Sequence, residues 1–186
     1  SSVDEQGERI MGLCENLGIS NSLLIDEKAL RWKVPETMTL EEAATIPVCY
    51  YTAYYALIIR GKLKSREKIL IHAGSGGVGQ AAISICLKRN CEVFTTVSSQ
   101  IKRDFLKNKF PELDDDHISN SRTTQFEEDI LKKTDGYGVD LVLNSLSEEK
   151  LQASLRCLAD YGRFLEIGKY DIMQNNKLGK VTSVSY

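Results

Sequence analysis

Short apolar runs rich in β-branched residues recur along most of the chain, at residues 68–72, 91–97, 117–119, 139–143 and 163–167, with starts 22 to 26 residues apart. Between them, residues 78–88, 101–109, 126–132 and 148–158 space their apolar positions as a helix does. Strand and helix alternating at that interval predict βαβ units: a doubly wound parallel α/β sheet with helices on both faces. The third run is the shortest and is flanked by charge. A further strand is expected at residues 181–184.

The pattern differs nearer the start. Residues 9–14 and 20–26 read as short strands, and Pro35 rules out a helix running through that position. Thr39-Leu40-Glu41-Glu42 has the form of a helix N-cap followed by acidic first-turn residues. A second helix is expected from Pro47, carrying Tyr50, Tyr51, Tyr54 and Tyr55. Forty-odd residues cannot close a β domain on their own. The chain is therefore expected to comprise the end of one domain at residues 1–45 and most of another at residues 46–186, as an internal piece of a larger protein.

Composition narrows the function classes. The 186 residues include 24 basic and 26 acidic side chains, for a formal charge of −2. That balance argues against nucleic acid, which calls for a clustered basic surface. The apolar run at residues 47–59 is too short and too polar to span a bilayer, and the acidic, polar opening does not read as a signal peptide. Cys14, Cys49, Cys86, Cys91 and Cys157 are scattered, with no CxxC or Cys/His cluster. They read as reduced thiols of a cytoplasmic protein, and no local zinc ligand set is seen.

The chemistry is concentrated after the first strand of the array. There Ala73-Gly74-Ser75-Gly76-Gly77-Val78-Gly79 leads directly into a helix. Gly74-x-Gly76-x-x-Gly79 has the dinucleotide-binding spacing: one glycine for the tight turn, one for close approach of a pyrophosphate, one for helix–strand packing. The helix amides beyond it favour anions. The second strand ends in Val97-Ser98-Ser99-Gln100-Ile101-Lys102-Arg103, with no carboxylate to bind a ribose 2′-hydroxyl. Two hydroxyls and two cations suit a 2′-phosphate instead, so the expected cofactor is NADPH.

The run from Ile71 to Ala82 resembles the medium-chain dehydrogenase/reductase superfamily, in its quinone-reductase-like branch. Four more stretches carry the resemblance: Leu40-Glu41-Glu42-Ala43-Ala44, Tyr51-Thr52-Ala53-Tyr54-Tyr55-Ala56-Leu57, Val139-Asp140-Leu141-Val142-Leu143-Asn144-Ser145-Leu146, and Arg163-Phe164-Leu165-Glu166-Ile167-Gly168-Lys169. Together they are similar to the enoyl reductase domain of an animal-type fatty acid synthase, with a polyketide synthase as the related possibility. The resemblance implies a Rossmann domain preceded by the C-terminal part of a GroES-like substrate domain, in a multifunctional enzyme that works as a homodimer. It implies NADPH-dependent, zinc-free reduction of trans-2-enoyl thioesters on an acyl carrier protein, alongside the parent synthase's other domains.

By the same resemblance Gly74, Ser75, Gly76, Gly77, Val78 and Gly79 cradle the pyrophosphate. Ser98, Ser99 and Lys102 hold the 2′-phosphate, and Ser121 and Arg122 lie near the adenosine. Asn144, Ser145 and Gly168 line the cofactor, Thr52 lies toward the nicotinamide, and Lys169 donates the proton. Tyr54 and Tyr55 are expected to be core packing. The alternatives are a quinone or enone reductase, and a non-catalytic NADPH-binding fragment.

Overall fold

The computed structural model describes residues 1–14, 20, 22, 24, 26 and 28–168. The chain divides into two compact units, Ser1–Thr52 and Ala53–Tyr186.

In the first unit, β1 (Ser2–Val3), β2 (Arg9–Gly12) and β3 (Arg31–Lys33) form an antiparallel sheet in that order. The Asp4 carboxylate accepts from the amides of Gln6 and Glu8, and Gly7 takes φ +79°, closing the β1–β2 turn. The strand expected at residues 9–14 is present as β2. The one expected at residues 20–26 lies largely outside the described residues. β1 and β3 are too short for alternation to register. Helix α1 (Leu40–Ala44) begins in a full capping box: the Glu42 amide donates to Thr39 Oγ1 at 3.1 Å, and the Thr39 amide donates to the Glu42 carboxylate at 2.8 Å. Helix α2 (Ile46–Tyr54) follows, with Pro47 in its first turn, where a missing amide proton costs nothing.

The second unit takes in the last two residues of α2, followed by a π-helical segment, Tyr55–Arg60. Then come β4 (Lys68–Ile71), α3 (Gly77–Lys88), β5 (Glu92–Val97), α4 (Gln100–Lys109), β6 (Ile118–Asn120), α5 (Phe126–Lys133), β7 (Val139–Asn144), α6 (Glu148–Arg156) and β8 (Leu158–Glu166). The strands form one parallel sheet in the order β6-β5-β4-β7-β8. Ile69, Leu70 and Ile71 of β4 are all fully buried, so both faces of the central strand are covered. On one face Leu70, Phe94, Val142 and Phe164 pack with Phe126 and Ile130 of α5 and Leu151 of α6.

The strand order reverses between β4 and β7, which opens a crevice at their carboxyl ends, where such sheets bind ligands. One boundary departs from expectation. The last helix stops at Arg156 and β8 begins at Leu158, five residues before the expected start. The register of β7 against β8 shifts between Val139 and Leu141, and Tyr161 turns to φ +63°. That bulge breaks the alternation by which the early part of β8 could be recognised. Residues 181–184 lie outside the described residues.

Candidate functional site at the carboxyl ends of the strands

The turn from β4 into α3 is built by backbone and by space. Ala73 takes φ +52°, an uncommon setting for a residue with a side chain. Its carbonyl accepts from the Gly76 amide at 2.9 Å, and the Gly74 amide donates to Thr96 O at 3.1 Å. A Cβ on Gly74 would lie 2.0 Å from Thr95 Oγ1; one on Gly79 would lie 2.4 Å from Ala73 O and 2.7 Å from Gly74 Cα. Gly76 differs: its nearest contact would be Ala73 O at 3.2 Å, and Gly76 and Gly77 are exposed. Gly74 and Gly79 are thus needed for packing, and Gly76 keeps the approach open. α3 has no side-chain cap, so its first amides face that approach, with Ser75 and Val78 half-buried beside it.

Next to this turn, β5 delivers Ser98 and Ser99 to the same end of the sheet. Lys102 Nζ donates to Ser98 Oγ at 3.2 Å, and Ser99 caps α4 without a side-chain bond. Arg103 departs from the expected pair of cations. It donates to Asp115 O at 3.2 Å and lies 3.6 Å from the Asp115 carboxylate, so it is engaged away from Ser98. The Ser121 amide donates to Val97 O at 2.8 Å, extending the β5–β6 pairing and bringing Ser121 beside the serines. Arg122 is exposed, its amide donating to Asn120 Oδ1.

Across the crevice the arrangement is closed. Asn144, fully buried at the end of β7, donates from Nδ2 to Leu146 O at 2.7 Å and to Glu166 Oε2 at 2.6 Å. Its Oδ1 accepts from the Leu146 amide, and its carbonyl accepts from Ile167. Glu166 also accepts from the Gly168 amide, and a Cβ on Gly168 would stand 3.5 Å from Ser145 Cα. The ends of β7 and β8 are therefore clasped, with Ser145 exposed at their rim. The side chain of Asn144 is committed to the clasp.

Lys169 follows Gly168 and lies outside the described residues. Thr52 is half-buried on α2, in the first unit. The expectation that Tyr54 and Tyr55 are core is corrected: they are 51% and 44% exposed, at the end of α2 and the start of the π-helical segment, two apolar stretches that also display Val48, Tyr50, Tyr51 and Ile59. Their apolar residues run round the helix, so periodicity does not say which face is covered.

Sequence reasoning passed over His72, the residue just before the glycine turn. It is 3% exposed, and burial pushes its pKa down to about 3. Nδ1 lies 2.9 Å from Thr96 Oγ1 and Nε2 lies 2.7 Å from Ser154 Oγ. Ser154 donates to Lys150 O, so it accepts from His72 Nε2–H, and Nδ1 is left to accept from the Thr96 hydroxyl. A histidine at the end of a strand of apolar residues was the available signal.

Known proteins resemble this chain in sequence and in fold. The zinc-binding dehydrogenase family matches residues 77–183. The lovastatin diketide synthase lovF of Aspergillus terreus is 48% identical over 152 residues, 82% of this chain and 6% of that protein. A highly reducing polyketide synthase of Didymella fabae is 44% identical over 172 residues, 92% of this chain and 9% of that protein. Among solved structures, the CurK enoyl reductase superposes with a TM-score of 0.74 at 42% identity, over 84% of this chain and 46% of that one. The nucleotide-binding subdomain of the enoylreductase domain of PpsC from Mycobacterium tuberculosis gives 0.65 at 42% identity, over 71% and 72%. This chain belongs to the zinc-binding dehydrogenase family, among the enoyl reductase domains of polyketide synthases.

As a polyketide synthase enoyl reductase domain, the chain spans less than a tenth of the length of these curated relatives. The expectation of an animal-type fatty acid synthase gives way to polyketide synthases, the proteins whose sequences and enoyl reductase structures this chain resembles. The family's name raises the question of zinc, and the described residues do not fit it. Among the described residues no three His, Cys, Asp or Glu side chains gather as a metal site. Cys86 and Cys157 are buried, and burial raises their thiol pKa values, that of Cys157 to about 12, opposing the thiolate that zinc needs. No helix among the described residues is long and apolar enough to cross a membrane.

Proposed function

We propose that this enoyl reductase domain binds NADPH across the crevice and reduces trans-2-enoyl thioesters carried on an acyl carrier protein of its parent synthase. The observation that carries the reading is the open turn of Gly76 and Gly77 at the strand reversal, beside Lys102 held on Ser98. Residues 74–79 meet the pyrophosphate with main-chain amides, as a turn free of side chains allows. Ser98, Ser99 and Lys102 take the 2′-phosphate, where a carboxylate would repel it, and Ser121 and Arg122 border the adenosine. Ser145 and Gly168, set by the Asn144–Glu166 clasp, border the nicotinamide, with Thr52 also assigned to that end.

Bound NADPH supplies a hydride to the β-carbon of the enoyl thioester. Lys169 gives a proton to the α-carbon, converting the double bond to a single bond and leaving the thioester intact. Residues 1–45 belong to a GroES-like substrate domain in this reading, and the parent synthase is a homodimer in the cytoplasm. The test is to follow the nicotinamide absorbance of the full synthase with an enoyl thioester and, separately, with a quinone. Consumption with the thioester, and its loss on Lys169→Ala, is the expected result. Consumption with the quinone alone, or an indifferent Lys169→Ala, would overturn it.

A further inference from the structure

We infer that His72 is a positioning residue for the cofactor turn: its buried imidazole joins the strands and helix behind the crevice and thereby sets the backbone of residues 73–79. The inference rests on the proposed cofactor site, and its geometry is independent of the residues assigned there.

Strands β4, β5 and β7 and helices α5 and α6 meet at this residue. The backbone of His72 continues β4, its amide donating to Leu143 O of β7 at 3.1 Å. Nδ1 accepts from Thr96 of β5 at 2.9 Å, and Nε2 donates to Ser154 of α6 at 2.7 Å. The ring also stands edge-on to Phe126 of α5, with centroids 5.0 Å apart. The next residue, Ala73, holds φ +52°, a conformation that persists only where its surroundings over-determine it. On its far side Gly74 is fixed by its amide on Thr96 O, so both neighbours of Ala73 are tied to Thr96, one by side chain and one by main chain. That setting aims the Ala73 carbonyl at the Gly76 amide and brings it to where Gly79 must lack a side chain. Loss of the imidazole would let Ala73 relax, and the phosphate-facing amides would move with it.

The two ring bonds can be removed separately. An asparagine at 72 retains an acceptor near the Nδ1 position and a glutamine a donor near the Nε2 position, whereas leucine retains neither. The experiment uses the full chain under conditions where each variant remains folded by circular dichroism. It measures NADPH affinity, melting temperature and the amide resonances of Gly74, Gly76 and Gly79 without ligand. His72→Leu is expected to weaken NADPH about ten-fold, the loss of the buried bond to Thr96 expressed as affinity, and to shift those amides. His72→Asn should recover most of the affinity, because it keeps the bond to Thr96. Ile130→Val, a core change away from the turn, controls for stability alone.

A lowered melting temperature with unchanged amide shifts and NADPH affinity would make His72 merely structural and overturn the inference. Amides shifted in His72→Leu, from a parent that itself fails to bind NADPH, would support the positioning role while sinking the proposed cofactor. If His72→Leu does not fold, the Asn and Gln variants carry the test. Equal NADPH affinity in those two, unchanged from the parent, would overturn the inference.

Discussion

The two sides of the crevice solve different problems. On the β4–β5 side the turn works by leaving groups out: glycines where side chains would collide, an uncapped helix start, and a lysine resting on a serine. On the β7–β8 side the strand ends are filled, with Asn144 and Glu166 engaged with each other and with the backbone of Leu146 and Gly168. In the proposed site a polyanion needs unspent donors, and the first side leaves the first amides of α3 uncapped by any side chain. In the same proposed site a reacting ring needs a fixed wall, and the second side spends its polar groups internally. The buried His72 stands beneath the open side and gives it the rigidity that its surface lacks.

The largest effect expected is a pH dependence through His72. Its folded pKa is depressed to about 3 from 6.5. The unfolded chain therefore takes up the proton first as pH falls, and the folded state resists it. The stabilisation is complete above about pH 6.5 and is lost progressively toward pH 3, up to roughly 5 kcal/mol for a shift of this size. Urea unfolding at neutral and mildly acid pH should show this slope in the parent and a shallower one in His72→Leu. Equal slopes would remove His72 as the acid-sensitive element.

Next come two glycines that separate packing from approach. Gly79→Ala drives a Cβ to 2.4 Å from a backbone oxygen and should destabilise the fold by about 1–3 kcal/mol. Gly76→Val should leave circular dichroism near native while abolishing NADPH binding. Similar melting temperatures for the two variants would dissolve the distinction between them.

On the closed side, Asn144→Ala strips the Glu166 carboxylate and the Leu146 amide of a buried partner, at a cost of about 1–3 kcal/mol. Thermal melts should register this, whereas Ser145→Ala, at the exposed rim, should not. Equal melting shifts for these two would show that the clasp is not what holds this side. The smallest effect is the most specific. Lys102→Glu, at an exposed position, should weaken NADPH about ten-fold and leave NADH nearly unchanged. Titrations in which both cofactors weaken alike would mean that Lys102 contributes only general charge.

Much of this was legible in the sequence. Fully buried parallel strands are continuous apolar runs, and the helices between them keep a 3.6-residue period, so β4 to β7 and α3 to α6 were readable within a few residues. The Gly74-x-Gly76-x-x-Gly79 spacing and the missing acid after β5 are local facts, as is the Thr39–Glu42 box, because each is settled within a few residues of chain. Tertiary structure decided the rest, since those outcomes depend on partners far away along the chain. The sheet order brought His72 to Ser154, 82 residues on, and Asn144 to Glu166, 22 residues on. It turned Arg103 onto Asp115, began β8 early through a bulge, and left Tyr54 and Tyr55 exposed on helical stretches too apolar for their pattern to show a buried face. A residue's type fixes what bonds it can make, but only the fold determines whether those bonds are spent inside the protein or kept for a ligand.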